Sequence, residues 1–212
     1  MSKIKKGILG GFSGKVGNVV GAFWKGKAVM RSLPGSVHQP ETTSQMGVRQ
    51  RFSLLSVFLS RLYSAISIGF KDREDGTTFF NEAMRANYED AVTGAYPAQT
   101  IQYNSVVVAD GNLTNCGAVA VSDSGTGDID LTWQDNSGTG TAEATDNVYA
   151  CIYNVEKDVS VTLNVGSRAD ATFSYTYPTS WQGDTAHVWL FAQNEQGKCS
   201  RSQYVGTVSP LS

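Results

Sequence analysis

The sequence has little of the material from which catalytic and metal sites are built. Its 212 residues include two histidines and three cysteines. The cysteines, Cys116, Cys151 and Cys199, lie far apart without C-x-x-C spacing. Zinc sites need clustered cysteines and histidines, and a nucleophilic cysteine needs a paired base. Neither His38 nor His187 belongs to such a pattern, so we expect no metal site, no disulfide framework and no enzymatic activity.

A nucleotide-binding loop is also missing, although the chain starts with many glycines. Residues 10–18 read GGFSGKVGN and contain the Gly14-Lys15 pair. A phosphate loop needs Ser or Thr after that pair and a glycine five residues before Gly14. Val16 and Leu9 occupy those positions. The sequence therefore predicts no nucleotide and no other cofactor.

Long apolar runs are absent as well. No stretch approaches the roughly 20 apolar residues of a membrane span. The apolar pair Ile8-Leu9 is too short for the apolar region of a signal peptide. We therefore expect a protein without membrane contact, which is made in the cytoplasm and either stays there or leaves it by lysis.

The distribution of charge is uneven along the chain. The net charge is −2. Residues 1–95 carry 13 basic and 7 acidic residues, a net of +6, and residues 96–212 carry 4 and 12, a net of −8. This split predicts two domains, a basic module at residues 1–97 and an acidic module at residues 98–212.

The basic module begins with short β-like runs between glycines. Val16–Phe23 and Lys27–Arg31 are candidate strands, and Lys25-Gly26 fits a tight turn between them. We expect a glycine-rich hairpin or arm that needs a partner, because a two-stranded ribbon is marginal alone. Apolar spacings of three and four residues then predict one helix over Gln45–Ile68 and a second over Thr78–Ala91.

The acidic module shows the alternation and the turn signals of short strands. We predict an antiparallel β-sandwich, and hence an α+β protein overall. The candidate strands are Thr100–Ala109, Gly117–Ser122, Asp128–Gln134, Asn147–Asn154, Val159–Leu163, Ala171–Tyr177, His187–Asn194 and Ser200–Val208.

This second half resembles a fibronectin-type-III or related immunoglobulin-like domain. Leu131-Thr132-Trp133 matches the second strand of that fold with its buried tryptophan, and residues 148–153 match the third strand. The segment AHVWLFAQNEQGKCSRSQYVGTV, residues 186–208, matches the sixth strand, a turn and the last strand. The resemblance implies a fold and no activity.

The first half resembles an uncharacterised family of Bacteroidota bacteria and their phages. The resemblance rests on GILGGFSGKVGNVVGAFWKGKAVMRSLP, residues 7–34, followed by Gln45, Arg49 and Phe52. Phage structural proteins often carry immunoglobulin-like domains as surface decoration, so this resemblance implies a place in the virion. We therefore expect a structural protein, such as a decoration, fibre or tail-associated protein, that contacts other virion proteins and copies of itself.

Basic and aromatic side chains of the N-terminal arm are the candidate interface. The set is Phe12, Lys15, Phe23, Trp24, Lys25, Lys27 and Arg31. One interpretation is assembly, in which the aromatic rings bury against a neighbouring protein and the cations face its acidic surface. The alternative is nucleic-acid binding, in which bases stack on the rings and phosphates meet the cations. The sequence favours assembly, because the charge density is low for a phosphate-binding surface.

Overall fold

The computed structural model describes residues 3–4, 10–33, 35, 41–71, 76–125 and 127–209. The chain forms two compact units, an N-terminal unit, Met1–Thr42, and a C-terminal unit, Thr43–Ser212. The structure thus replaces the predicted boundary between residues 97 and 98 by one after residue 42. The physical reason is that the helices after residue 42 share a hydrophobic core with the sandwich.

The N-terminal unit is an antiparallel sheet of four strands in the order β1-β2-β3-β4. The strands are β1 Lys3–Ile4, β2 Phe12–Val16, β3 Val19–Trp24 and β4 Lys27–Ser32. Lys25 and Gly26 connect β3 to β4 with φ angles of 46° and 78°. Positive φ at both loop residues is what a two-residue hairpin turn of the right twist requires. A four-stranded sheet therefore stands where a hairpin or arm was predicted.

The residues that the structure describes include three helices at the start of the C-terminal unit, where two were predicted. They are α1 Thr43–Arg61, α2 Tyr63–Gly69 and α3 Phe79–Asn87. The chain bends by 87° between α1 and α2, at the fully buried Leu62. No proline or glycine marks this bend, which allows both helices to place apolar side chains in the same core. α3 begins after Thr78, whose hydroxyl accepts the Asn81 N–H at 3.2 Å.

Nine further strands follow in the described part of the C-terminal unit. They are β5 Val92–Thr93, β6 Thr100–Ile101, β7 Gly117–Asp123, β8 Asp128–Gln134, β9 Asn147–Asn154, β10 Val159–Ser167, β11 Thr172–Thr176, β12 Ala186–Gln193 and β13 Gln203–Val208. β5 and β6 form a small ladder, while the other seven form two sheets, with orders β10-β9-β12-β13 and β11-β8-β7. The predicted immunoglobulin-like antiparallel sandwich is therefore confirmed.

The central strands β9 and β12 are buried on both faces. Ala150, Ile152 and Leu190 lie in the core between the two sheets. Tyr153 and Trp189 belong to a second core with side chains from all three helices. The C-terminal unit therefore has three layers, which are the helices, the larger sheet and the smaller sheet.

The predicted strand Thr100–Ala109 ends at Ile101. The backbone of the buried segment that follows pairs with side chains instead of a neighbouring strand. The Val107 N–H donates to Asn87 Oδ1 at 2.7 Å, and Asn87 Nδ2 donates to the Val107 carbonyl at 2.8 Å. The Val108 N–H donates to Ser202 Oγ at 2.9 Å. These bonds satisfy a buried backbone without a ladder.

Candidate functional site

The strand register sorts the side chains of β2, β3 and β4 onto two faces of the N-terminal sheet. Gly21 of β3 pairs with Gly14 of β2 and with Met30 of β4, and alternate residues share a face. We call one side the apolar face. It consists of Phe12, Gly14, Val16, Val19, Gly21, Phe23, Ala28, Met30 and Ser32. This face contains no charged residue.

The apolar face is largely open to solvent. Met30 is 72% exposed, Phe23 55% and Val16 50%. The ring of Phe12 covers the part of this face around Gly21, because a Cβ added to Gly21 would lie 2.6 Å from a carbon of that ring. Glycine at position 21 therefore lets an aromatic ring lie directly on the sheet, and Gly11 lies close to Ala28 and to the ring of Phe23 on the same face.

We call the opposite side the cationic face. It consists of Ser13, Lys15, Val20, Ala22, Trp24, Lys27, Val29 and Arg31. Lys15, Val20 and Arg31 form one row across β2, β3 and β4. Trp24 is 64% exposed, lies opposite Lys27, and has the Lys25 ammonium 5.3 Å from its ring centroid. Cations and an aromatic ring are thus combined on one side of the sheet.

The structure divides the predicted interface residues between these two surfaces. Phe12 and Phe23 lie on the apolar face, and Lys25 lies in the β3–β4 turn. The remaining four, Lys15, Trp24, Lys27 and Arg31, belong to the cationic face. The prediction missed the apolar contributions of Val16, Val19, Ala28 and Met30. The period-two alternation of the strands contains this information.

The strand β4 forms an edge of the sheet. It pairs with β3 on one side, and the strand order shows no strand on its other side among the described residues. All six of its residues are exposed and none is proline. An edge of this kind presents unpaired backbone donors and acceptors to a further strand.

The charge of the chain follows the structural units. Residues 1–42 carry 7 basic and 1 acidic residue, a net of +6, and residues 43–212 carry 10 and 18, a net of −8. Residues 43–95 carry 6 of each sign and are neutral. The positive excess therefore belongs to the N-terminal unit and not to the helices that were grouped with it.

Some titratable groups elsewhere in the described chain are buried or held by local hydrogen bonds. No group of three or more metal-ligating side chains is found among the described residues. Burial raises the pKa of the Cys151 thiol to about 12, which keeps it protonated. The Asp135 carboxylate accepts the Ser137 N–H and hydroxyl, which holds the pKa of Asp135 below its usual value. The three cysteines are buried, and no disulfide joins any two of them.

His187 lies in an aromatic cluster at one edge of the helical core. Its ring stacks on Tyr103 with centroids 4.0 Å apart, and its Nδ1 lies 2.8 Å from the Tyr204 hydroxyl. Burial lowers the pKa of His187, against a smaller opposite effect of Glu156. No carboxylate or thiol bonds to this ring among the described contacts, in which its hydrogen-bond partner is the Tyr204 hydroxyl.

In the described part of the chain, no single helix is long and apolar enough to cross a membrane. The bent pair of α1 and α2 meets the criteria of length and composition only when the two are taken together.

Residues 11–206 match the model of the family of unknown function DUF6266. The chain belongs to this family. The match includes most of the N-terminal sheet and nearly all of the C-terminal unit. No curated protein matches the chain.

Two similar solved structures are fibronectin-type domains. The fn3 domain of human collagen alpha-1(XX) shares 7% identity, covers 47% of this chain and 87% of its own, and has a TM-score of 0.37. The FN5 domain of Drosophila Lar shares 12% identity, covers 46% of this chain and 95% of its own, and has a TM-score of 0.34. Neither likeness carries an argument about function.

Proposed function

We propose that this protein is a non-enzymatic structural protein that joins a multi-copy assembly through its N-terminal sheet and displays the sandwich. One observation carries the proposal: the apolar face has no charged residue, is exposed, and ends at the open strand β4. Soluble proteins rarely leave such a surface uncovered unless it is a contact site.

The partner that this surface fits is a second copy of the chain. Two apolar faces cover each other without placing any charge in the contact, and two β4 edges pair antiparallel about a two-fold axis. In both arrangements the same surface is used on both partners. The cationic face then stays on the outside of the pair.

The strength of this contact is modest. Covering Val16, Phe23, Met30 and the neighbouring Val19 from their partial exposure is worth roughly 4–6 kcal/mol on each copy, or about 8–12 kcal/mol for the symmetric pair. Association costs about 4–15 kcal/mol in lost rigid-body freedom, and the ordering of side chains at the contact adds to this cost. A single pair is therefore weak, and the contact suits an assembly in which many copies are held together.

A matched pair of variants tests the proposal. Phe23→Ser removes a side chain from the apolar face that is 55% exposed, and Phe52→Ser removes one from the C-terminal unit that is 56% exposed. By sedimentation velocity over a concentration series, we expect Phe23→Ser to weaken self-association at least about tenfold, as a loss of 1.4 kcal/mol would do. Phe52→Ser is expected to behave as the unaltered chain. Equal self-association of the two variants would refute the proposal.

We extend the proposal to the particle of a bacteriophage or prophage, with the sandwich as a decoration, fibre or tail-associated unit. Support comes from the resemblance of residues 7–34 and of Gln45, Arg49 and Phe52 to a family of Bacteroidota and their phages. Peptide mass spectrometry of density-purified particles tests it. Stoichiometric copy number supports a virion role, while absence beside the known capsid proteins contradicts it.

Nucleic-acid binding is the second candidate, because Trp24 shares a face with Lys15, Lys27 and Arg31. About three phosphate contacts predict a slope of roughly −2 in a plot of log affinity against log salt for single strands. Trp24→Ala should also remove one stacking contact, with a loss of about 1–3 kcal/mol. Unchanged mobility of labelled single strands at low salt would reject this candidate.

A further inference from the structure

The smaller sheet of the sandwich has an outer face of unusual composition. Ile129, Leu131 and Trp133 of β8 are buried, so the residues between them point away from the core. We call this side the acidic face. It consists of Ala120, Ser122, Asp128, Asp130, Thr132, Gln134, Thr172, Ser174 and Thr176. It contains two carboxylates, no cation, and no side chain larger than glutamine.

The register places the carboxylates along the middle of this face. In the order β11-β8-β7 the strand β8 is central, and Asp130 pairs with Ser174 on one side and Ser122 on the other. The next row is Thr172, Thr132 and Ala120. Short side chains on both sides of the carboxylates leave a flat surface that another sheet can approach to about 10 Å.

The cationic face has the converse arrangement on three neighbouring strands of its four-stranded sheet. Lys15 on β2 and Arg31 on β4 flank Val20 of β3, the strand between them. Long cationic side chains on these two flanking strands can lean inward over β3, toward a central row of carboxylates on a facing sheet. The charges and the side-chain lengths of the two faces are thus complementary.

We infer that the acidic face of one copy receives the cationic face of another copy. The inference rests on the proposed function, because it describes a second contact in the same assembly. The two faces are different surfaces, so the contact is heterologous and adds copies in a head-to-tail chain or ring. The apolar face is not used, and the two kinds of contact can coexist in one assembly.

The size of the faces sets the expected strength of the contact. Three strands of about six residues cover roughly 14 by 20 Å, or about 300 Å² on each partner. Specific interfaces bury at least about 1,000 Å² in total, so this contact is weak by itself. Between exposed charges it is also sensitive to salt. We therefore expect assemblies larger than the apolar-face dimer at low salt and their loss at high salt.

Charge reversal on each face, followed by mixing, tests the inference. The first variant is Lys15→Glu/Lys27→Glu/Arg31→Glu, and the second is Asp128→Lys/Asp130→Lys, both in the full chain. Each variant presents two faces of the same sign, so neither should form the larger assemblies alone. Their mixture offers opposite faces between the two chains, and light scattering at low salt should show the larger assemblies again.

Several outcomes would overturn the inference. It fails if the variants assemble like the unaltered chain, or if the mixture stays as small as its components. It also fails if the first variant loses single-strand binding while keeping the larger assemblies, since the cationic face would then serve nucleic acid. Thermal unfolding checks that each variant is folded. Where a reversal unfolds the chain, Asp130→Asn and Lys15→Gln/Arg31→Gln replace it, and each should reduce the larger assemblies.

The result is distinguishable from a failure of the proposed function. The apolar-face dimer should persist in both charge variants and disappear in Phe23→Ser. If Phe23→Ser has no effect but the charge variants behave as expected, the head-to-tail contact stands and the apolar-face contact fails.

Discussion

The two units of the chain differ in whether their large apolar side chains are buried or exposed. The C-terminal unit places its large apolar residues in two cores, one between its sheets and one under its helices. The N-terminal unit leaves them outside, since seven of the thirteen exposed large apolar side chains among the described residues lie in residues 16–33. One sequence thus contains a unit with two hydrophobic cores and a unit whose large apolar side chains are mostly exposed.

Size explains part of this difference. The N-terminal unit has 42 residues, and chains of about 40 residues or fewer rarely bury enough surface to fold without support from another chain, a metal or disulfides. The C-terminal unit has the length of an ordinary domain. Substitutions in the C-terminal unit should therefore change stability, and substitutions in the N-terminal unit should change association.

The largest loss of stability is expected at a buried ion pair in the C-terminal unit. Arg168 and Asp146 are 0% and 1% exposed, with Nη2 and Oδ2 3.0 Å apart. Arg168 also donates to Asn136 Oδ1 at 2.7 Å and to the Thr114 carbonyl at 2.8 Å. Asp146→Ala leaves a buried guanidinium without its counterion and should lower the free energy of unfolding by about 3–5 kcal/mol.

Urea unfolding followed by tryptophan fluorescence measures this loss. Glu195→Ala, at an exposed turn, is the control and should change the free energy by less than about 0.5 kcal/mol. Self-association of Asp146→Ala at low urea should equal that of the unaltered chain. A loss below about 1 kcal/mol would contradict the buried-pair description.

The next largest loss of stability tests whether the helices unfold together with the sandwich. Leu59 of α1 is fully buried in the core that includes Tyr153 and Trp189. Leu59→Ala should lower the free energy of unfolding by about 2–5 kcal/mol, and the whole C-terminal unit should still unfold in a single transition. Differential scanning calorimetry distinguishes this from two separate transitions. A sandwich transition that keeps its midpoint would favour the boundary near residue 97 instead.

A smaller effect is expected where the end of α1 meets the sandwich. Arg61 Nη2 lies 2.8 Å from Asp158 Oδ2, and both side chains are about half exposed. The Tyr153 hydroxyl donates to the other oxygen of Asp158 at 2.9 Å. Arg61→Ala should cost no more than about 1 kcal/mol, because water and salt screen this pair. A loss in thermal stability that is unchanged by added salt would argue against an electrostatic origin.

The smallest effect concerns pH. The imidazole of an unfolded chain titrates near 6.5, and burial lowers the pKa of His187 in the folded protein. The unfolded state therefore binds more protons in acid. The contribution of His187 to stability is complete above pH 6.5 and is lost as the pH falls from there through the folded pKa.

The pH effect is measured as the difference in unfolding free energy between about pH 7.5 and about pH 5. His187→Gln should make this difference smaller than in the unaltered chain. Equal differences in the two proteins would show that His187 does not contribute.

Several features of the fold could be predicted from residue patterns alone. Asp128–Gln134 and Asn147–Asn154 match the observed strands residue for residue, because alternation or continuous burial is a local signal. The bend at Leu62 and the buried segment after Ile101 were not predictable. Both depend on side chains that are distant in sequence, such as Ser202, which bonds to Val108.

The boundary between the units was misplaced for a similar reason. Residues 43–95 have no net charge, so the net charge could be divided into positive and negative parts on either side of them. Counting these residues with the basic arm placed the boundary near residue 95. Which side the helices join is decided by their contacts with β9 and β12, and no local pattern shows these. In the candidate site, Phe12, Phe23 and Trp24 were found by residue type, but their separation onto two faces needed the strand register.

Deleting residues 1–42 tests most directly whether the N-terminal unit is needed for association and whether the C-terminal unit folds without it. Sedimentation velocity and thermal unfolding would be compared for the full chain and for residues 43–212. We predict that the shorter chain is monomeric at every concentration where the full chain associates, and that it unfolds with the midpoint of the C-terminal unit. A shorter chain that associates as strongly as the full one, or that fails to fold, would contradict the assignment of assembly to the N-terminal sheet and of autonomous stability to the rest.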